Sequence, residues 1–304
     1  MFRTLDELVA AARAKGPMKI AVAAGHDPDV MEALKQAREM NLADGVLVGN
    51  ADKIRSLAAA IDFPLSDEQV VHEPDDSAAA RKAIAMVRDG TAQLLMKGKI
   101  GTASLVRAVL DKETGLRVPG RMLSQVIVFQ VPGFDHLMLM TDAAINIAPT
   151  LEHKAEIVKN AVEVARAIGI EKPNVALLCA LEFVNPDMPA TVDAAALTMM
   201  NRRGQIPDAY LEGPIALDVP LSKFAADRKN IYSPLVGRTD VFIAPDIEAA
   251  NILYRAITYF AKGESGGNVI GARVPLILLS RAEPPETKIH SIAIAIHVYS
   301  AQKK

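Results

Sequence analysis

Two short polar segments that follow apolar runs carry the side chains best suited to hold an anion. Ser280 and Arg281 follow the run PLILL, while Lys97 follows QLLM and precedes a helix expected to begin at Thr102. Guanidinium and ammonium groups bind phosphate oxygens, and the first turn of a helix presents unpaired N–H groups to an anion. Each segment is therefore a candidate phosphate-binding site.

Some of these residues also have ordinary structural interpretations. Thr102 can simply cap its helix, and Lys97 and Arg107 can be solvated charges near helix ends. Asp246, which follows DVFIAP, can likewise be a helix cap. The polar pair after PLILL is the stronger candidate, because side chains that end an apolar strand emerge at the carboxyl edge of a sheet, where α/β proteins bind ligands.

Other types of site find little support. The single cysteine, Cys179, lies inside the apolar run NVALLCAL and is expected to be an inert core residue, so we exclude it as a nucleophile. The six histidines show no H-E-x-x-H or other close ligand pair, and we expect no metal site. The motifs G-x-x-x-x-G-K-[ST] and G-x-G-x-x-G after a strand are absent, which argues against ATP hydrolysis and simple Rossmann dehydrogenation.

The bulk composition is that of an ordinary folded protein. The chain has 304 residues, 50% hydrophobic and 23% charged, a size at which a chain usually forms two domains. A formal net charge of -2 without long runs of Lys or Arg argues against a nucleic-acid partner. No apolar run reaches the roughly eighteen residues of a membrane span. We therefore expect a cytoplasmic protein with no membrane partner.

The segments that position the candidate residues alternate between strands and helices. The apolar runs MKIAVAAG, DGVLVGN, VVHE and QLLM are each followed by a helical pattern, the last at 102–110. Helices at 151–168, 190–201 and 246–262 surround the runs NVALLCAL and DVFIAP. We interpret AKGESGGNVIGARVP as a crossing between domains and KIHSIAIAIHVYSAQ as a closing helix. This alternation predicts an α/β protein with a parallel sheet.

Five segments together resemble one known family. They are LLMKGKIGTASLVRAVL, VIVFQVPGFDHLMLMTDAAINIAPTLEHKAEIVKNA, NVALLCALEFVNPDMPATVDAAAL, DVFIAPDIEAANILYR and VIGARVPLILLSRAE, in family order. The chain is similar to the phosphate acetyl/butyryltransferase family, and closer to its butyryl branch. The resemblance implies a reversible reaction of acyl-CoA with inorganic phosphate to give acyl phosphate and coenzyme A, usually in a homodimer. Coenzyme A is then a substrate, and no further cofactor is expected.

The resemblance also implies a fold and a division into domains. The implied fold is a two-domain, three-layer α/β/α architecture like that of the isocitrate and isopropylmalate dehydrogenases. The first domain is expected to comprise residues 1–133 and 268–304, and the second residues 134–267.

The resemblance assigns roles to individual residues. The family's catalytic Ser-Arg pair falls on Ser280 and Arg281, and Glu283 stands where the butyryl branch commonly has an aspartate. We expect Ser280 to donate to the oxyanion and Arg281 to clamp phosphate. Either Glu283 or Glu286 would take the thiol proton. The predicted phosphate- or coenzyme A-binding residues are Lys97, Thr102, Arg107, Asn146 and Asp246.

Two other functions stay open at this point. A metal- and nicotinamide-dependent decarboxylating dehydrogenase needs a cluster of acidic ligands, and Asp142, Asp240 and Asp246 form no recognisable arrangement in the sequence. A non-catalytic module that binds coenzyme A or acyl phosphates would need the basic residues but not Ser280. The length of the acyl chain also stays open, since one methylene in a pocket changes binding by only ~1–3 kcal/mol.

Overall fold

The computed structural model describes residues 2–278 and 283–303 of the chain. The chain forms two compact units. The first unit consists of Asp6–Arg121 and Gly266–Lys304, and the second of Met1–Leu5 and Met122–Ser265. The predicted domain boundaries, after residues 133 and 267, stay a prediction.

Helices and strands alternate along most of the chain. The α-helices are α1 Leu5–Arg13, α2 Pro28–Glu39, α3 Ala51–Ala60, α4 Asp76–Arg88, α5 Thr102–Val109, α6 Leu151–Ala167, α7 Pro189–Arg202, α8 Asp218–Leu221, α9 Lys223–Lys229, α10 Ile247–Arg255 and α11 Pro285–Gln302. The strands are β1 Met18–Ala23, β2 Ala43–Gly49, β3 Val70–His72, β4 Leu94–Lys97, β5 Ser124–Gln130, β6 Met138–Thr141, β7 Asn174–Leu178, β8 Tyr210–Ile215, β9 Val241–Ile243, β10 Glu264–Ile270 and β11 Leu276–Ile277. A 3₁₀ turn covers Asp67–Gln69, and a π-helical turn, Ala256–Phe260, extends α10.

The strands of the first unit follow the order β3-β2-β1-β4-β11-β10. Every neighbouring pair is parallel except β10 and β11, which are antiparallel. The last four residues of β1 and the first three of β4 are fully buried. Strands that are apolar on both faces are typical of a parallel sheet covered by helices on both sides. Their carboxyl ends therefore lie along one edge of this sheet.

The second unit has its own strand order, β5-β6-β9-β7-β8. Strands β5 and β6 are antiparallel, and the other three pairs are parallel. Its core includes Phe129 and Phe242, whose ring centroids lie 6.3 Å apart in a tilted arrangement. Burial of two aromatic rings in contact contributes strongly to the stability of a core of this size.

The closing helix predicted from the last segment is confirmed as α11. Twelve successive residues, from Thr287 to Val298, are buried, so the helix is covered on every side. This explains its sequence pattern, since a helix with apolar residues all round has no polar face to give a 3.6-residue period. Among the described residues, no helix is both long and apolar enough to cross a membrane.

The predicted α/β class is confirmed, but the more specific fold prediction is wrong. The isocitrate/isopropylmalate dehydrogenase-like, three-layer α/β/α architecture came from the resemblance, and each unit instead has a mixed sheet with one antiparallel pair. Strand direction depends on where a chain returns after a connection, and apolar periodicity reports only the type of each element. The solved structures that resemble this fold are given below.

Candidate active site

Three strands of the first unit end at the same place. Ala23 of β1 is paired with Lys97 of β4, and Ile277 of β11 is paired with Met96. All three strands run in the same direction, so Lys97 and the residues that follow Ala23 and Ile277 emerge at one carboxyl edge. This is the edge at which α/β sheets bind their ligands.

The segment Lys97–Lys99 leaves β4 in close contact with the chain that leaves β1. The N–H of Gly98 donates to the carbonyl of Ala23 at 2.8 Å, and that of Lys99 donates to the carbonyl of Ala24 at 2.8 Å. A Cβ atom on Gly98 would lie 2.1 Å from the Ala24 carbonyl oxygen, so only glycine fits here. The half-buried Lys97 and the exposed Lys99 are thereby fixed at the edge of the sheet.

Helix α5 begins directly after this segment with an open N-terminus. Its N-cap is Gly101, which offers no side-chain cap, and its first turn contains no acidic residue. The N–H groups of Ser104 and Leu105 both donate to the Gly101 carbonyl. Those of Thr102 and Ala103 have no acceptor among the described residues. Unpaired N–H groups next to a lysine form a suitable site for phosphate oxygens.

Arg107 lies on the same helix but in its last turn. It is exposed, and its guanidinium has no partner in the described part of the chain. At ~1.5 Å of rise per residue, Arg107 is about 7–8 Å along the helix axis from Thr102. The structure therefore places both predicted residues on one helix without bringing Arg107 into the first turn.

The predicted catalytic pair, Ser280 and Arg281, lies outside the described residues. The described residues stop at 278, just after β11, and resume at Glu283, two residues before α11 begins. Glu283 is half-buried, whereas Glu286, in the first turn of α11, is exposed. The choice between these two carboxylates as proton acceptor stays open.

Several ionisable side chains of the first unit are buried, and the sequence analysis singled out none of them; two are Lys288 and His26. Lys288 is 7% exposed in α11, and its ammonium lies 3.5 Å from the carboxylate of Asp29 in the first turn of α2. His26, just after β1, is also buried, and its Nε2 lies 3.6 Å from the carboxylate of Asp76. The Nδ1 atom of His26 has no hydrogen-bond partner in the described part of the chain. A lysine followed by ten largely apolar helical residues was the signal available for Lys288.

In the second unit, a single carboxylate organises the loop that follows β6. Asp142 is buried and accepts hydrogen bonds from the backbone N–H groups of Gln125, Ala144, Ile145 and Asn146, at 3.0–3.1 Å. The side-chain amide of Asn146 donates a further bond to Asp142 at 2.6 Å. Burial raises the pKa of Asp142, and these hydrogen bonds oppose that rise. The loop is therefore built around this carboxylate.

Two predicted binding residues, Asn146 and Asp246, lie after the carboxyl ends of β6 and β9 in the second unit. The side chains of both make structural contacts. The amide of Asn146 donates to Leu123 O at 2.8 Å as well as to Asp142, so its two amide hydrogens are both used. Asp246 caps α10, where its carboxylate accepts from Ala249 N at 2.8 Å. Binding roles for Asn146 and Asp246 stay predictions.

The expectation that Cys179 is a core residue is wrong, since it is half-buried just after the end of β7, but the structure supports the expectation that its thiol is inert. Burial raises the pKa of its thiol to about 11, although the ammonium of Lys154 opposes the shift. That ammonium is itself held by the carboxylate of Asp193 at 2.7 Å. Since the thiolate is the nucleophilic form of cysteine, very little of Cys179 is reactive near neutral pH.

The chain is similar to known proteins over almost its whole length. The family model for phosphate acetyl/butaryl transferases matches residues 68–296. A phosphate butyryltransferase of Clostridium acetobutylicum is 43% identical over 97% of this chain and 98% of its own length. A phosphate acetyltransferase of Thermotoga maritima is 41% identical over 96% of this chain and 98% of its own length.

A solved structure agrees with these sequence relatives. The crystal structure of a branched-chain phosphotransacylase from Enterococcus faecalis V583 matches with a TM-score of 0.80 and 32% identity, over 93% of this chain and 99% of that one. The phosphotransacylase fold thus replaces the dehydrogenase-like fold expected from the sequence. The predicted acyltransferase class is confirmed, and the dehydrogenase alternative is not favoured. The chain belongs to the phosphate acetyl/butaryl transferase family.

Proposed function

We propose that this enzyme transfers a short acyl group between coenzyme A and inorganic phosphate, giving acyl phosphate and free coenzyme A. The observation that carries the proposal is the open N-terminus of α5 in a chain of this family. Lys97 precedes this helix by five residues, and its ammonium donates to the Gly98 carbonyl at 3.1 Å. Phosphate oxygens can accept from the N–H groups of Thr102 and Ala103, while the Lys97 ammonium offsets their charge.

The proposed reaction is a direct displacement at the thioester carbonyl. A phosphate oxygen attacks the carbonyl carbon, a tetrahedral oxyanion forms, and the carbon–sulfur bond then breaks. The Ser280 hydroxyl donates to the oxyanion, an interaction typically worth ~3 kcal/mol, and Arg281 with Arg107 holds phosphate in line. The sulfur leaves as thiolate and gains the proton that the attacking hydrogen phosphate loses.

The reverse direction requires that the thiol loses its proton. Glu283 or Glu286 takes the proton before the sulfur attacks the acyl phosphate. A thiol pKa near ~8.5 makes such a base useful at neutral pH. Asn146 and Asp246 are proposed to contact coenzyme A or phosphate, and the enzyme is proposed to need no cofactor besides coenzyme A as substrate.

We propose that no acyl-enzyme forms. The pKa of about 11 for Cys179 supports this, since the thiol is protonated near neutral pH. The variant Cys179→Ala should therefore keep a near-native rate, and recovery of an acyl group bound to Cys179 would require a two-step mechanism instead.

Both acetyl and butyryl groups are proposed as substrates. The relatives named for the two activities are 43% and 41% identical to this chain, which does not separate them. A pocket distinguishes a short acyl chain from the next by only ~1–3 kcal/mol per methylene. We further propose a cytoplasmic homodimer, whose mass light scattering would measure.

The test is the release of free thiol from acetyl-CoA and butyryl-CoA, followed with a thiol reagent. We expect release that depends on phosphate and falls by about 10²-fold or more in Arg281→Ala. Arg13→Ala removes an exposed arginine on α1 and should keep the native rate. The absence of phosphate-dependent release with every acyl-CoA would favour a binding module, and reduction of a nicotinamide would favour a dehydrogenase.

A further inference from the structure

The second unit carries most of the apolar side chains that folding leaves exposed. Of the large hydrophobic residues that are exposed in the described part of the chain, all except Leu110 belong to this unit. Single exposed apolar residues are ordinary on a protein surface, but several on one element indicate an interaction surface. Three of them lie on α10 and the π-helical turn that extends it.

Helix α10 is apolar on its outer side as well as on its inner side. Its inner residues, Ala250 and Tyr254, are buried in the core of the second unit. On the outer side, Ile252 is 69% exposed, and Tyr259 and Phe260 of the π-helical turn are 61% and 88% exposed. The inner side holds the helix against its sheet. Folding of a single chain therefore does not explain why the outer side is apolar.

Two opposite charges flank Ile252 on the outer side of α10. Glu248 lies four residues before Ile252 and Arg255 three residues after it, so the three side chains share one face of the helix. The Glu248 carboxylate makes no hydrogen bond or ion pair in the described part of the chain. The Arg255 guanidinium contacts the ring of Tyr254, 5.1 Å away, and no carboxylate among the described residues. An acid and a base placed symmetrically about the middle of a helix complement a second, antiparallel copy of that helix.

We propose that α10 and its π-helical turn bind a second copy of this chain, with the two α10 helices antiparallel about a two-fold axis next to Ile252. Glu248 of each copy then faces Arg255 of the other copy, which forms two equivalent ion pairs. The two Ile252 side chains meet at the axis between these pairs. This is the reciprocal pattern of contacts that an isologous dimer requires.

The apolar groups at the two ends of this surface also complement each other. At ~1.5 Å of rise per residue, Tyr259 and Phe260 lie ~11–13 Å from the axis, beyond the start of the other copy's α10. The exposed Ile147 lies at that start, because the Ile247 N–H donates to its carbonyl at 3.1 Å. With Ile252, these exposed side chains supply roughly half of the ~800 Å² that each partner buries in a stable interface.

The inference rests on the homodimer proposed above and names its contact surface. The test is analytical ultracentrifugation of the full chain without substrates, which gives the dissociation constant of the dimer. Glu248→Arg and Arg255→Glu each place two pairs of like charges across the axis and should raise this constant at least tenfold. The double variant restores opposite charges at both positions, so its constant should return to within about threefold of the native value.

Two further variants test the apolar part of the surface. Ile252→Glu places two carboxylates at the axis and should leave the protein monomeric at micromolar concentration. Met199→Glu changes another exposed apolar residue of the second unit, on α7, and should dimerise as the native protein does. Circular dichroism checks that each variant is folded.

Three results would overturn the proposal. A native protein that stays monomeric would contradict the homodimer and this surface together. A native dimer whose dissociation constant is unchanged by both single charge reversals would contradict the surface alone. Dissociation by Met199→Glu but not by Ile252→Glu would move the interface to α7. Because association is measured without turnover, none of these results depends on the acyltransferase assay.

Discussion

Gly98 is the residue on which the geometry of the candidate site depends most directly. We predict that Gly98→Ala costs at least ~2 kcal/mol of unfolding free energy, because its Cβ would lie 2.1 Å from the Ala24 carbonyl oxygen. The collision is with backbone, which cannot rotate away as a side chain can. Chemical denaturation measures the loss. Gly101→Ala is the matched control: its nearest atom would be 3.8 Å away, so its cost should stay within the ~1 kcal/mol expected of alanine as a poorer N-cap.

Asp142 gives a second prediction for a single residue. Asp142→Asn should destabilise the protein by about 2–4 kcal/mol, because an amide would direct N–H groups at backbone donors that now share a carboxylate. Asp246→Asn is the control, since asparagine caps a helix as well as aspartate does. A thermal melt of the two variants decides the matter: equal stability would show that the loop does not depend on the charge of Asp142.

At the scale of elements, the open N-terminus of α5 predicts that an acidic capping residue would raise stability but weaken phosphate binding. Gly101→Asp supplies the missing cap and should stabilise the protein by up to ~1 kcal/mol. The added charge would repel phosphate, and ~1 kcal/mol of repulsion corresponds to about a fivefold rise in the KM for phosphate. Steady-state kinetics on Gly101→Asp and Gly101→Ala separate the effect of the added charge on KM from the effect of replacing glycine. An unchanged KM in Gly101→Asp would mean that phosphate binds elsewhere.

Most elements could be predicted from sequence because their apolar periodicity is local. The helix expected at 151–168 is observed as α6, and the run DVFIAP contains β9. The glycine-rich stretch interpreted as a crossing between domains does contain the boundary between the two units, after Ser265, and it also forms strand β10, which was not predicted. A Cβ on Gly266 would lie 2.6 Å from the Cβ of His290, so glycine is needed there for close packing of α11. That contact spans distant parts of the chain, and composition alone does not reveal it.

Strand β8 was missed for a related reason. Its sequence, YLEGPI, contains Gly213 and Pro214, which ordinarily argue against a strand. Gly213 is nevertheless required, since a Cβ there would lie 2.5 Å from the Cβ of Leu177 in β7. In both strands, tertiary packing overrides local propensity.

The parts of the candidate site that lie at the end of a strand or the start of a helix were predictable from sequence. Lys97 and Thr102 were placed correctly at a strand end and a helix start, because apolar runs mark both. The ion pair between Lys288 and Asp29 was not predictable, although the apolar stretch after Lys288 indicated a buried lysine. The pair joins elements that are far apart in sequence, and one sequence carries no direct signal of such contacts.

At the scale of the whole molecule, the first unit brings together two segments that are far apart in sequence, α1 with the residues that follow it and α11. His297 in α11 is buried, with Nε2 2.9 Å from the Leu8 carbonyl and Nδ1 2.9 Å from the Lys15 ammonium. The carbonyl accepts and the ammonium donates, so the neutral ring with a proton on Nε2 satisfies both. Burial lowers the pKa of His297 to about 4.

This pKa predicts how stability changes with pH. The unfolded ring takes up a proton near pH 6.5, but the folded ring takes one up only near pH 4. The contribution of the neutral His297 ring to the free energy of unfolding is therefore complete above pH 6.5 and declines as the pH falls to 4. Its full size is on the order of 3 kcal/mol. Thermal melts across this range should show a smaller pH slope for His297→Gln than for the native protein. His153→Gln, at an exposed histidine, should keep the native slope, and equal slopes for all three proteins would contradict the account.

The central claim is that the acyl group passes from sulfur to phosphate, and the ratio of products measures it most directly. Butyryl-CoA and phosphate are incubated with the enzyme, free thiol is counted with a thiol reagent, and acyl phosphate is trapped with hydroxylamine. The account predicts one trapped acyl group for each thiol released, with both lost together in Arg281→Ala. Thiol release without trapped acyl phosphate would mean that water accepts the acyl group, and it would contradict the assignment.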